Sequence, residues 1–351
     1  NCRRTTYWNG GSFINPLLGC GYNKSSSVDP HVNNFSIPSG RIIRSYTNWK
    51  REILTMSAYM TGIIIILCLN IIVAYSVFLP AAAGQLNLGA AGFMIIGAYM
   101  DAYLSSADDG LGLPILLTIP VAALFTGLVG FLMSFPILRT RGVYMILATF
   151  AFAEIVAGIV LNMEIVGGAS GFPVTTHTEL EVLLPITVGV VLFGFYLIST
   201  RFGLSMRSIH DDENVSLLFG VNTHLVKVGA FTIGAFLGGL AGALYGHQFD
   251  YIEVQNWGIL FSIYVLLYVL IGGTQTPWGP LVGAMFFTFI PEILRALGDA
   301  TGIELFSELR FAAFGVIIVG MMVLRPEGIM TRTFLELLFR KSTPKTDIKL
   351  G

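Results

Sequence analysis

Long stretches without Asp, Glu, Lys or Arg alternate along this chain with short polar connections. The charge-free runs are 53–100, 110–138, 182–200, 228–249 and 254–291. A helix needs ~20 apolar residues to cross a hydrocarbon core, so each run holds one or two spans. The runs lack the in-out alternation of a membrane barrel, which leaves helices as the way to satisfy backbone groups in lipid. The expected spans are 56–79, closed by Pro80, then 83–99, 113–136, 143–162, 182–200, 228–247, 259–271, 281–297 and 311–324. The fold class is all-α, a polytopic membrane protein of about nine transmembrane helices.

Irregularities inside these runs are informative. Two prolines and several glycines in Gly-Gly-Thr-Gln-Thr-Pro-Trp-Gly-Pro (272–280) rule out a continuous helix there. In the sixth span Gly234, Gly238, Gly242 and Gly246 recur every four residues, a flat face expected to lie against another helix. Gln85 and Asn87 sit near the start of the second span, where amides either bond a neighbouring helix or line a path. Glu154, inside the fourth span, and Glu292, toward the end of the eighth, are the acidic pathway candidates. Glu292 has Arg295 one helical turn on and can instead pair with it.

The polar connection Arg201–His224 stands apart. Its residues 216–219 (Ser-Leu-Leu-Phe) give an apolar face beside Arg207, His210, Asp211, Asp212 and Glu213, and Gly220 offers a left-handed stop. This predicts a short helix, a glycine turn and re-entry into the membrane. Such a segment is either a projection gripped by a soluble partner or a wet loop joining two spans.

Charge sets the orientation. Arg139 and Arg141, then Arg201, Arg207 and Lys227, then the basic tail all fall on one side, expected to be cytoplasmic, whereas the outer connections after residue 56 carry only Arg295 and Arg310. Lys50 and Arg51, just before the first span, disagree with this pattern. Residues 1–52, polar and lacking an initial Met, are expected to be disordered or non-native; 53–333 is the transmembrane domain, with its projection at 201–224, and 334–351 a basic tail.

Composition excludes other classes. Only 12% of the 351 residues are charged and mean hydropathy is +0.74, against about 25% charged in a soluble domain. A net charge of -1 gives no reason to expect nucleic acid. The three cysteines have no metal or redox spacing, and no Walker lysine, paired His or Ser-His-Asp set is present. No catalytic, cofactor or metal site is expected.

Five landmarks carry a resemblance. They are Gly84-Gln85-Leu86-Asn87-Leu88-Gly89 with Gly97-Ala98-Tyr99; Arg141-Gly142-Val143-Tyr144 with Ala153-Glu154-Ile155; Arg207-Ser208-Ile209 with Asp212-Glu213 and Gly220; Gly272-Gly273 with Trp278-Gly279-Pro280 and Gly283; and Pro291-Glu292 with Arg325-Pro326-Glu327-Gly328. In this order, from about Ala58 to Thr333, the chain resembles the M-type permease subunits of ATP-binding-cassette importers for branched-chain amino acids. It departs from that pattern at Ala90, often His, at His210, and at Val215-Ser216, usually small alanines.

The resemblance implies a second permease paralogue alongside, two ATPase subunits beneath, and a periplasmic or lipid-anchored substrate-binding protein, all at a prokaryotic cytoplasmic membrane with an amino acid as cargo. It also makes Arg201–Gly220 the coupling helix. The charged residues would then give rim contacts and register, and Leu217, Leu218 and Phe219 would give buried anchoring area. An amino-acid zwitterion could meet side chains, or backbone groups at Gly84–Gly89 and Gly272–Gly279. Rival expectations are an ATP-driven permease for urea, short amides or other neutral amino acids, and a self-contained secondary transporter or channel.

Overall fold

The chain is mostly helix, and glycines with positive φ mark several of its turns, at Gly84, Gly142, Gly220 and Gly273. The computed structural model describes residues 39–106, 110–174, 177–178, 180–301, 310–324 and 328–330. It divides into two compact units, 1–53 and 54–351, of which the second carries everything below. The expectations for residues 1–38 and for the tail 334–351 lie outside the described residues, while residues 39–53 are helical.

The helices are α1 (Ser39–Ala82), α2 (Ala90–Ser105), α3 (Ile115–Ile137), α4 (Val143–Leu161), α5 (Leu180–Ser199), α6 (Arg201–Asp211), α7 (Glu213–Leu218), α8 (Thr223–Phe249), α9 (Ile259–Gly272), α10 (Trp278–Thr301) and α11 (Arg310–Leu324). Among the described residues six helices are long and apolar enough to cross a membrane: Tyr59–Ala82 of α1, then α3, α4, α5, α8 and Trp278–Gly298 of α10. Two more, α9 and Phe314–Leu324, are apolar but shorter. The all-α membrane class therefore stands, whereas length and composition alone do not reach nine.

Three boundaries differ from expectation for local reasons. Pro80 lies inside α1, which continues to Ala82. A proline there removes one donor near the helix end, where few further bonds are lost. The second span begins at Ala90, since Gly84 (φ +75°) reverses the chain and 85–89 stay non-helical. Helix α10 starts at Trp278, with Pro280 in its first turn, where a missing N–H costs no helical bond.

Helix α2 forms the centre. It is buried on almost every side, with Ile96, Met100 and Tyr103 only partly covered, and packs chiefly on α8, α3 and α4. Contact with α8 is backbone to backbone: a Cβ on Gly97 would lie 2.2 Å from the Gly239 carbonyl oxygen, and one on Gly242 would lie 2.1 Å from that of Met94. Close approach of this kind supplies packing attraction where lipid gives no hydrophobic drive. Of the other track glycines, Gly234 faces Ser76 and Pro80 of α1, Gly238 faces Phe93 and Ser76, and Gly246 faces Ile252 and Val174.

At the end expected to face outward, a two-stranded ribbon pairs Phe172 with Ile252 and Pro173 with Tyr251. Tyr251 donates its hydroxyl to the Ser170 carbonyl, and His177 Nδ1 lies 2.8 Å from Asp250 Oδ1.

Candidate functional site: the α6–α7 projection and the two helix breaks

The polar connection folds as two short helices rather than one. Asp212 divides them: its extended backbone ends α6, and its carboxylate accepts from the N–H groups of Asn214 (2.8 Å) and Val215 (3.1 Å), capping α7. Ser216, fully buried, shares a 2.6 Å hydrogen bond with Ser208 and ties α7 to α6. Gly220 (φ +80°) turns the chain, its N–H donating to Leu217 while that of Val221 reaches Ser216.

Much of the charge predicted for the rim is engaged by this chain's own groups. Glu213 pairs with Lys227 of α8 at 2.7 Å, and His210 lies 3.9 Å from Asp211. Arg207 is partly buried. What remains most outward is apolar: Leu217, Leu218 and Phe219 are 53%, 87% and 83% exposed. Beneath them Gly203, Met206 and Ile209 of α6 are buried. The His210 Cα lies within 3.6 Å of where a Cβ on Gly84 would stand, so α6 touches the α1–α2 break.

Both breaks have their backbone groups engaged by protein. In the first, Asn87 Oδ1 accepts from the Gly89 N–H (2.7 Å), Thr149 of α4 accepts from Leu88 (3.0 Å), and Ser262 of α9 accepts from Ala91 (3.2 Å). Gln85, 1% exposed, leaves both amide atoms without a hydrogen bond among the described residues. In the second, the N–H groups of Ile329 and Met330 donate to the carbonyls of Ile271 (2.7 Å) and Gly272 (3.0 Å), and Thr276 donates to Met330 (2.8 Å). The Tyr75 hydroxyl takes the Pro277 carbonyl at 2.7 Å. Gly328 (φ +91°) lies against Gly273, bringing together two landmarks far apart in sequence. A cargo zwitterion meeting this backbone would have to displace these partners.

The two acidic candidates part company. Glu292 lies 3.8 Å from Arg295, whose guanidinium sits over the Tyr59 ring at 5.4 Å. Glu154 is exposed on α4 and has no ion pair or hydrogen bond among the described residues.

The sequence reading missed one pair altogether. Asp101 of α2 and His247 of α8 meet at 2.6 Å (Nε2 to Oδ2), with side chains 1% and 0% exposed. Each closes an apolar run near the end of its helix, which made both read as boundary residues. The available signal was that the two ionisable groups stand at the ends of spans expected to finish on the same membrane side. Among the described residues no cluster of His, Cys, Asp and Glu could hold a metal ion.

The model of the branched-chain amino acid transport system permease component family matches residues 56–325. The chain belongs to this family. This permease is 28% identical over 322 residues to the high-affinity branched-chain amino acid transport permease LivM of Escherichia coli, covering 82% of this chain and 71% of the relative. It is 25% identical over 173 residues to LivH of the same organism, covering 49% and 54%. It is 25% identical over 133 residues to the nucleoside ABC transporter permease NupC of Lactococcus lactis, covering 37% and 40%. No solved structure matches the permease. It is a multi-pass membrane transport subunit and not an enzyme.

Proposed function

We propose that this permease is the membrane subunit through which an ATP-driven importer moves branched-chain or other hydrophobic amino acids across a prokaryotic cytoplasmic membrane. A second, LivH-like permease would stand beside it. Two ATPase subunits would sit beneath, and a binding protein would deliver cargo from outside. The observation that carries this reading is the α6–α7 projection: a capped unit, ion-paired to α8 through Glu213 and Lys227, that leaves Leu218 and Phe219 87% and 83% exposed. An apolar tip of that size on a polar connection fits a partner's cleft better than water. Closure of the ATPase dimer would pull on α7, and the contact of α6 with Gly84 would pass that pull to the α1–α2 break.

The test is reconstitution of both permeases and both ATPase subunits in vesicles, with the binding protein added outside. ATP-dependent leucine uptake is expected, and Phe219→Ala should abolish most of it while the ATPase subunits still hydrolyse ATP. Uptake by this chain alone, without ATP, would sink the proposal. The similarity to a nucleoside permease favours a second reading of the cargo, in which the binding protein chooses it. Equilibrium titration of the binding protein with leucine, urea, short amides and a nucleoside separates these.

A further inference from the structure

We propose that the exposed face of α4 is one wall of the cargo path, with the second permease chain forming the facing wall, and that Glu154 receives the cargo's ammonium group there. This rests on the function proposed above. The starting observation is placement. Glu154 lies eleven residues from Val143 and seven from Leu161, so ~16 Å and ~10 Å of helix separate it from the two ends. A glutamate side chain is too short to reach either interface. It cannot relieve its charge by snorkelling, as lysine and arginine do.

The rest of the helix shows which side is in question. Met145, Thr149, Phe152, Ala153 and Val156 are buried and face the bundle, with Phe152 against Phe93 of α2 at 5.0 Å. The opposite stripe carries Tyr144, Leu147, Ala151, Glu154 and Gly158, of which the first four are exposed. A Cβ on Gly158 would meet nothing within 4 Å. Ala151 and Gly158 thus flank the carboxylate by about one turn on either side and leave a notch around it.

An ionised carboxylate facing acyl chains at this depth is strongly disfavoured, so the stripe is not a lipid face. A dry helix–helix contact would leave the carboxylate without the partner it also lacks among the described residues. A water-accessible seam satisfies it, and a cargo bearing an ammonium group and an apolar side chain matches the notch: charge for Glu154, hydrocarbon for Ala151 and Leu147, ~5 Å and ~10 Å along the helix. Glu292, by contrast, already has Arg295.

Two arms test this in the full complex. First, Glu154→Gln should lower ATP-driven leucine uptake by on the order of ten-fold or more, the scale of a lost charge-assisted hydrogen bond. Co-purification of all subunits should persist, and Glu154→Asp should restore part of the rate. Unchanged uptake in Glu154→Gln, or disassembly with both variants, overturns the cargo contact.

Second, Glu154→Cys in a background without the three native cysteines should react with a membrane-impermeant thiol reagent and cross-link to the second permease. Reaction only with lipid-soluble reagents overturns the wall, and a cross-link to another copy of this chain overturns the assigned partner. If the wild-type complex moves no amino acid, the functional reading fails. The labelling arm still decides where α4 faces.

Discussion

The α2–α8 centre and the α6–α7 projection solve opposite problems with the same few residue types. At the centre, glycines bring backbones together and the ionisable pair Asp101–His247 is sealed at 1% and 0% exposure. At the projection, a glycine turns the chain outward, the charges satisfy one another at the base, and the largest apolar side chains are left in the open. The contrast teaches that neither apolarity nor charge assigns a role by itself in this protein. What matters is whether the group has a partner within the chain.

That contrast can be broken in graded steps. The largest effect is expected from Gly242→Leu, whose side chain would start 2.1 Å from the Met94 carbonyl oxygen. A packed helix pair cannot move apart without losing its contacts, so folded protein should vanish from fluorescence-detected size exclusion. Next, Asp101→Ala should cost about 3–5 kcal/mol by leaving a buried partner uncompensated, seen as a large fall in thermal stability in detergent. Asp101→Asn, which keeps a hydrogen-bonding oxygen, should cost clearly less. If the two fall alike, the pair is held by charge rather than by shape.

At the projection the expected pattern reverses, with binding lost and stability kept. Phe219→Ala should weaken ATPase association by about 2 kcal/mol, close to thirty-fold, with the melting temperature unchanged. Asp212→Ala should remove the α7 cap, worth about 1 kcal/mol, and show as faster amide exchange at Asn214 and Val215 with a modest loss of coupling. A drop in global stability from Phe219→Ala would show that the tip folds onto its own chain, and the comparison would fail.

Most of the fold could be read from the sequence, because charge-free runs report a solvent rather than a contact. The ends of α3, α4, α5 and α9 fall within two residues of the expected spans, since proline, glycine or charge marks each of them. The projection was visible for the same reason, though its division at Asp212 was not. A capping aspartate looks like any other member of a charge cluster until its carboxylate is seen on the N–H groups of Asn214 and Val215. In the sequence alone the break at 84–89 looks like helix, because Leu86 and Leu88 continue the apolar pattern across it. Asp101 and His247 stayed hidden because pairing across 146 positions leaves no local mark.

One consequence concerns how the chain is made. Ile329 and Met330, the last residues described, close the turn between α9 and α10 by hydrogen bonds to Ile271 and Gly272. A nascent chain emerges from its N-terminus, so this turn must enter the bilayer with those carbonyls open and wait for α11 to be threaded before it can be latched. A ribosome that stops a few codons short of residue 328 would therefore release a bundle in which every described helix is present and whose loop still hangs unfastened.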